Sequence, residues 1–232
     1  MPAAVRLLWC AVLALWPVPA LAQAVDPPPG PYVVDARAAV SSLPQDSGFY
    51  PPAPTSTLIP TRGLGVDVGG HVYLLGLGPA RIGLGASFAR MTGKVSSTTT
   101  SGSGSSTGPP APPTRPDVDT TVRFITPQLS LNFGSARGWS YISAGVGQTL
   151  VRTGTSPFAG STSSTAPLTP ARTLQTAALQ TINVGGGARW FKTRHVAFSF
   201  DVRFYKIAAR AKEGVRTPAM MLMTAAAGVS LK

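Results

Sequence analysis

The sequence predicts an all-β protein: an eight-stranded antiparallel up-and-down transmembrane β-barrel with an N-terminal signal peptide. Three observations carry that reading. Eight segments, approximately 32–42, 62–76, 80–94, 121–134, 139–153, 174–191, 196–209 and 218–232, alternate apolar residues with small or polar ones, the period of two that sends successive strand side chains to opposite faces. Their connections run long, short, long, short, long, short, medium. The tight ones, "GLGP", "GSAR" and "KTRH", fall at one end, and 43–61, 95–120, 154–173 and "AKEGVRTP" at the other. An even strand count with turns at one end and long loops at the other is the signature of an outer-membrane barrel. Beyond the first 24 residues no stretch could make a transmembrane helix, and a chain that crosses a bilayer with strands must close them, because an open sheet edge cannot face hydrocarbon.

The elements follow in order. Residues 1–24 read as a signal peptide, with Arg6 as the positive n-region, Leu7 to Trp16 as the apolar stretch, and cleavage after Ala22 or Ala24. Pro17 and Pro19 interrupt the apolar run before it reaches the roughly 20 residues of an anchor. Export is expected. Cys10, the only cysteine, leaves with the peptide, so the mature chain has no disulfide and no cysteine-based metal site. Residues 25–31 form a Pro-rich tether and 32–232 the barrel, with long loops 43–61, 95–120 and 154–173 expected to be mobile. The second carries the low-complexity run "SSTTTSGSGSSTGPPAPPTRP". "ARTLQTAALQTI" is the best amphipathic-helix candidate but also reads as the upper part of the sixth strand.

The two faces of each strand differ in kind. One carries large apolar residues, as in Leu64, Val66, Val68, Val72 and Leu74, or Phe198, Phe200, Val202 and Phe204. The other combines Gly, Ser, Ala and Thr with a few charges of both signs. A water-facing surface would carry many Lys and Glu; small residues suit the cramped interior of an eight-stranded barrel, just wide enough for side chains to fill it. The apolar face therefore looks at lipid. Asp35, Asp67 and Asp201 share the inward face with Arg37, Arg81, Arg189, Arg203 and His71. Buried charges are costly unless paired, so a luminal polar network is expected, with His71 hydrogen-bonded within it. Phe133, Trp139, Tyr141, Trp190 and Phe191 flank the short turns and Tyr32 opens the first strand at that end; together they predict one interfacial aromatic girdle.

These features resemble the small outer-membrane β-barrel proteins of the OmpA transmembrane-domain, OmpX and OmpW type, over roughly residues 31 to 232. The resemblance rests on pattern rather than on a motif. It departs at the end of the chain, "GVSLK", where such barrels usually end in an aromatic residue. It implies a porin-like cell-envelope protein of the Gram-negative outer membrane, inserted by the outer-membrane assembly machinery, monomeric, and in contact with outer-membrane lipid and lipopolysaccharide.

Composition narrows the function classes. Lys and Arg number 20 against 8 Asp and Glu, a formal charge of +12. The basic residues are scattered, no nucleic-acid motif is present, and an exported basic protein is expected to meet phosphate-rich lipid. Arg62, Arg90, Lys94, Arg123, Arg152 and Arg210 fall on the long-loop side as a candidate lipopolysaccharide rim. No catalytic, cofactor or metal site is expected: the two histidines, His71 and His195, lack ligand partners, and the glycines of "GLGPARIGLG" and "GGGAR" precede no helix. A structural, adhesive or narrow-permeability barrel with a polar lumen is the leading expectation. An exported soluble lipocalin-like ligand-binding barrel would need an apolar interior, and a membrane-embedded barrel enzyme a catalytic set.

Overall fold

The computed structural model describes residues 30–52, 57–78, 80–96, 115–159, 168–212 and 215–232. The segment expected to be a signal peptide (1–24), most of the expected tether (25–29) and the low-complexity part of the second loop (97–114) lie outside them. Eight wall strands run in chain order: β1 (Tyr32–Ser42), β2 (Arg62–Leu77), β3 (Ala80–Val95), β4 (Val118–Ser135), β5 (Gly138–Thr155), β6 (Leu179–Phe191), β7 (Val196–Ile207) and β8 (Met220–Leu231). Each pairs antiparallel with its sequence neighbour, and β1 pairs with β8 from Val34↔Leu231 to Ser41↔Thr224. The sheet is closed, so no edge is left unpaired.

Turn chemistry explains the short ends. Gly134, at the end of β4 beside the β4–β5 turn, has φ 131, and a Cβ there would also lie 2.8 Å from the Trp139 Cα; only glycine takes that conformation freely. The sixth expected segment divides. Arg172–Gln175 adds to the long-loop end of β5, residues 176–178 leave the ladder, and β6 begins at Leu179. Thr176 holds the break, its amide donating to Val151 O at 2.9 Å while its hydroxyl accepts from Val151 N at 3.1 Å. The helix candidate there is extended chain.

Closure turns the two faces into an outside and an inside. Leu64, Leu129 and Val146 are 72%, 59% and 66% exposed, and Phe198, Phe200 and Phe204 stand outward beside them. Such a continuous apolar exterior is far larger than a water-soluble monomer tolerates; the barrel is built to stand in hydrocarbon. On β4 the outward face runs from Phe133 at the turn end through Leu129 and Ile125 to Arg123. Ten residues at ~3.3 Å each, tilted by about 40°, give a band about 25 Å tall, the height of an outer-membrane apolar belt.

One loop differs from expectation. Residues 43–52, assigned to the first mobile loop, fold into the mouth of the barrel around a 3-10 turn, Ser47–Phe49. The Asp46 carboxylate accepts from Gly48 N at 2.8 Å, and the Tyr50 hydroxyl donates to Pro44 O at 2.6 Å. Thr153 donates to Phe49 O at 2.6 Å, tying the turn to β5. Buried Leu43 and Phe49 supply the apolar area that offsets the entropy of ordering this segment. Of the third loop, Phe158–Ala159 pairs with Leu168–Thr169, and residues 160–167 lie outside the described residues.

Candidate functional site

The lumen is built in three layers, because each inward-facing set keeps its height around the wall. At the turn end, Trp139 stacks on Phe191 at 4.8 Å and meets Tyr73 edge-on at 6.0 Å. The Lys232 ammonium lies 3.9 Å above the Phe191 ring and donates to Ala136 O at 2.7 Å. Val33 completes this small cluster.

The middle layer is ionic. Arg189 donates to both oxygens of Asp35, at 2.9 and 2.6 Å, a bidentate fork. Arg37 meets the same carboxylate at 2.8 Å and Asp67 at 3.7 Å, and donates to Ser199 and Tyr141 at 3.2 Å each. Tyr141 donates to Asp201 at 2.6 Å while the Arg189 guanidinium covers its ring at 4.1 Å. Arg203 holds Asp201 at 3.0 Å and donates to Asn183 at 2.7 Å and to Gln128; Ser230 donates to Asp35. Three arginines face three aspartates, all 6% exposed or less, so the layer is formally neutral. Glycines give it room: a Cβ on Gly187 would lie 2.8 Å from the Tyr141 hydroxyl.

The third layer, toward the long loops, is uncharged and mainly apolar, with buried Ser41, Thr120, Thr149, Thr153, Thr181 and Thr224 interspersed. Leu43, Phe49, Met91, Val122, Phe124, Val151, Leu179, Tyr205, Ile207 and Leu222 form one buried cluster, with Phe124 stacked on Tyr205 at 3.9 Å. This corrects the expectation of a lumen filled by polar residues. Beyond Arg37 the inward positions are Ala39 and Ser41, with Leu43 just past the strand, and beyond Arg203 they are Tyr205 and Ile207, so the charged face gives way to apolar and hydroxyl side chains at the height where the folded loop caps it.

The individual site residues fall as follows. Asp35, Arg37, Asp67, Arg189, Asp201 and Arg203 come together in the middle layer. Arg81 does not: it is half-buried beside the β2–β3 turn and makes no ion pair among the described residues. His71 points inward and is 4% exposed, but neither ring nitrogen has a hydrogen-bond partner. Its cross-strand neighbours are Val33 and Gly85, which offer none. His195 is exposed, its Nδ1 3.0 Å from Lys232 O.

The girdle needs the same correction. Tyr32, Phe133 and Trp190 are exposed on the outer wall, whereas Trp139 and Tyr141 are each 2% exposed inside and Phe191 packs beside Trp139. On β5 the outward residues are Ile142, Ala144 and Val146, so the odd-numbered aromatics must point in. That parity was readable in "WSYISAGV"; nearness to the turn hid it. Sequence reasoning also missed the hydrogen-bonding role of Tyr141, for which the same parity is the signal, and the plug residue Phe49, for which no local signal exists.

The basic rim is exposed throughout, at Arg62, Arg90, Lys94, Arg123, Arg152 and Arg210. Lys94 lies 3.7 Å from Asp117, and Arg210 donates to Ala178 O at 2.5 Å. Arg90, Arg123 and Arg152 line one cleft, of about 320 Å³, with Asp119, Thr121 and Gln175.

Comparison with known proteins comes from chain path alone. No protein-family model and no curated protein sequence matches the chain. Among solved structures it is similar to Neisserial surface protein A, at 15% identity over 88% of this chain and 97% of that one, with a TM-score of 0.47. It is similar too to Ail, the attachment invasion locus protein of Yersinia pestis (11%, 86% and 96%, 0.45), and to the outer membrane protein OprG from Pseudomonas aeruginosa (9%, 90% and 98%, 0.41). On its own register and its own outer face, the chain has the fold of the small outer-membrane barrels: a closed, eight-stranded, up-and-down cylinder with its apolar side turned out.

Proposed function

We propose that this protein is an integral outer-membrane barrel with a structural or adhesive role at the cell surface and no conducting path. The observation that carries this reading is the plug: a packed, uncharged layer, the apolar cluster from Leu43 and Phe49 to Phe124 and Tyr205 with buried Ser41, Thr120, Thr149, Thr153 and Thr181 among it, fills the lumen at the long-loop end. Ions do not cross a packed, uncharged layer without a large desolvation cost. The neutral Asp–Arg layer beneath it then acts as a rigid polar core that fixes the strand register, as ionic networks can when every member is paired.

The outer wall supports the placement. Its apolar band ends at Arg62 on β2, Arg90 on β3, Arg123 on β4, Gln148 on β5, Gln180 on β6 and Lys206 on β7, all exposed. That basic margin suits an outer leaflet rich in lipopolysaccharide phosphate. Insertion by the outer-membrane assembly machinery, export by the signal peptide and a monomeric state belong to the same reading. His71, with Gly85 and Tyr141 around its ring and no hydroxyl bonded to it, supports a non-enzymatic role.

Planar-bilayer recording tests the proposal on protein first confirmed as a barrel by its shift on boiling in a denaturing gel. The wild type is expected to give no steady conductance, and Leu43→Ala with Phe49→Ala to give one, because two large plug side chains are removed. A steady wild-type channel would overturn the sealed reading.

A further inference from the structure

We propose that the outer wall of β3, β4 and β5 carries one discrete site for a phosphate monoester of an outer-leaflet glycolipid, formed by Arg90, Arg123 and Arg152. The inference rests on the outer-membrane reading above and assigns it a specific lipid contact. Register brings the site together. Arg90 is the direct cross-strand partner of Arg123, and Arg152 that of Thr121, one outward position further along β4. Gln175, the partner of Arg152 on the strand added to β5, walls the cleft on the far side.

Like charges directly opposite one another on a sheet repel, and no ion pair relieves these among the described residues. None of the three arginines has an ion-pair or hydrogen-bond partner among the described residues. Asp119, the one carboxylate in the cleft, lies against Gly154 without forming an ion pair. Three guanidiniums against one carboxylate leave the cleft at 3 − 1 = +2. A phosphate monoester carries about −1.5 to −2 at neutral pH and matches both that charge and the fork geometry of arginine. The site stands on paired strands, so its geometry does not depend on a loop.

Position selects a lipid rather than a free anion. One outward position toward the membrane centre, the partners of the same strands are Phe88 and Ile125, 41% and 53% exposed. A headgroup phosphate held by the arginines would place its acyl chains directly on them.

Native mass spectrometry of the detergent-extracted barrel tests this, with lipid A and its dephosphorylated form supplied in equal amounts. Wild type is expected to prefer the phosphorylated lipid by at least about tenfold, the value of one charge-assisted contact. The Arg90→Gln, Arg123→Gln, Arg152→Gln variant is expected to lose that preference while keeping its boiling shift. Arg62→Gln with Arg210→Gln, elsewhere on the rim, should retain it. No preference in wild type, or an undiminished one in the triple variant, overturns the site. Complete displacement of the lipid by millimolar inorganic phosphate overturns its assignment to a lipid. Failure of the outer-membrane reading shows separately, as protein in the soluble fraction with no boiling shift.

Discussion

Asp35 is the residue on which the ionic layer turns, and Asp35→Asn tests it with little change of volume. The carboxylate is 1% exposed. It accepts two hydrogen bonds from Arg189, at 2.9 and 2.6 Å, and lies 2.8 Å from Arg37. Neutralising it takes the layer from three acids against three arginines to two against three, a buried charge of +1. Arg37 keeps Asp67 at 3.7 Å and its bond to Tyr141, but Arg189 loses its only carboxylate. Removing one partner of a buried pair costs about 3–5 kcal/mol, chiefly because the other charge stays buried and uncompensated. If that is the cause, removing the stranded charge must help: Asp35→Asn with Arg189→Met is expected to regain at least about 2 kcal/mol. Urea unfolding in phospholipid vesicles, followed by the boiling-sensitive band and extrapolated linearly, gives both numbers. A single-variant loss under about 1 kcal/mol, or a double variant less stable than the single one, would refute the reasoning.

Two further outcomes follow from the same geometry. Phe200→Arg, in the apolar outer band, is expected to cost about 2–4 kcal/mol in the same unfolding assay, whereas Thr121→Arg at the basic margin should cost under about 1 kcal/mol, the depth dependence of a charge in hydrocarbon; equal costs would mean that the band is not in the bilayer. Burial in the plug loop raises the Tyr50 phenol above its ordinary value, with Thr120 donating in the opposite sense. Its raised folded value means that its contribution is fully present below about pH 10, the unfolded value, and is lost as pH rises through the folded one. The stability of wild type relative to Tyr50→Phe should therefore be constant from pH 8 to 10 and fall above it, and a flat difference up to pH 12 would show that Tyr50 is not buried as described.

Much of the wall was legible in the sequence because a strand advertises its faces by a period of two. β1, β2, β3, β5, β7 and β8 lie within two residues of their expected bounds, and the inward set Asp35, Arg37, Asp67, Arg189, Asp201 and Arg203 follows from parity alone. The errors arose where parity was set aside or where chain far along the sequence intervened. Trp139 and Tyr141 were assigned to the girdle by closeness to a turn, although Ile142 and Val146 already fixed the opposite face as outward. Arg81 shares the inward parity but stands too near the turn to reach a carboxylate.

Alternation between small and large apolar residues therefore determined the strands, their sidedness and which side meets hydrocarbon, since those depend only on local geometry and on transfer from water. Which groups meet across the lumen was decided by closure. Asp35 and Arg189 are 154 residues apart, and only the stagger of a sealed eight-strand sheet sets them at one height. The plug was decided the same way: nothing in "LPQDSGFY" says that Phe49 will be buried, because the cluster it joins, with Met91, Phe124 and Tyr205 from three different strands, forms only once all eight strands have closed.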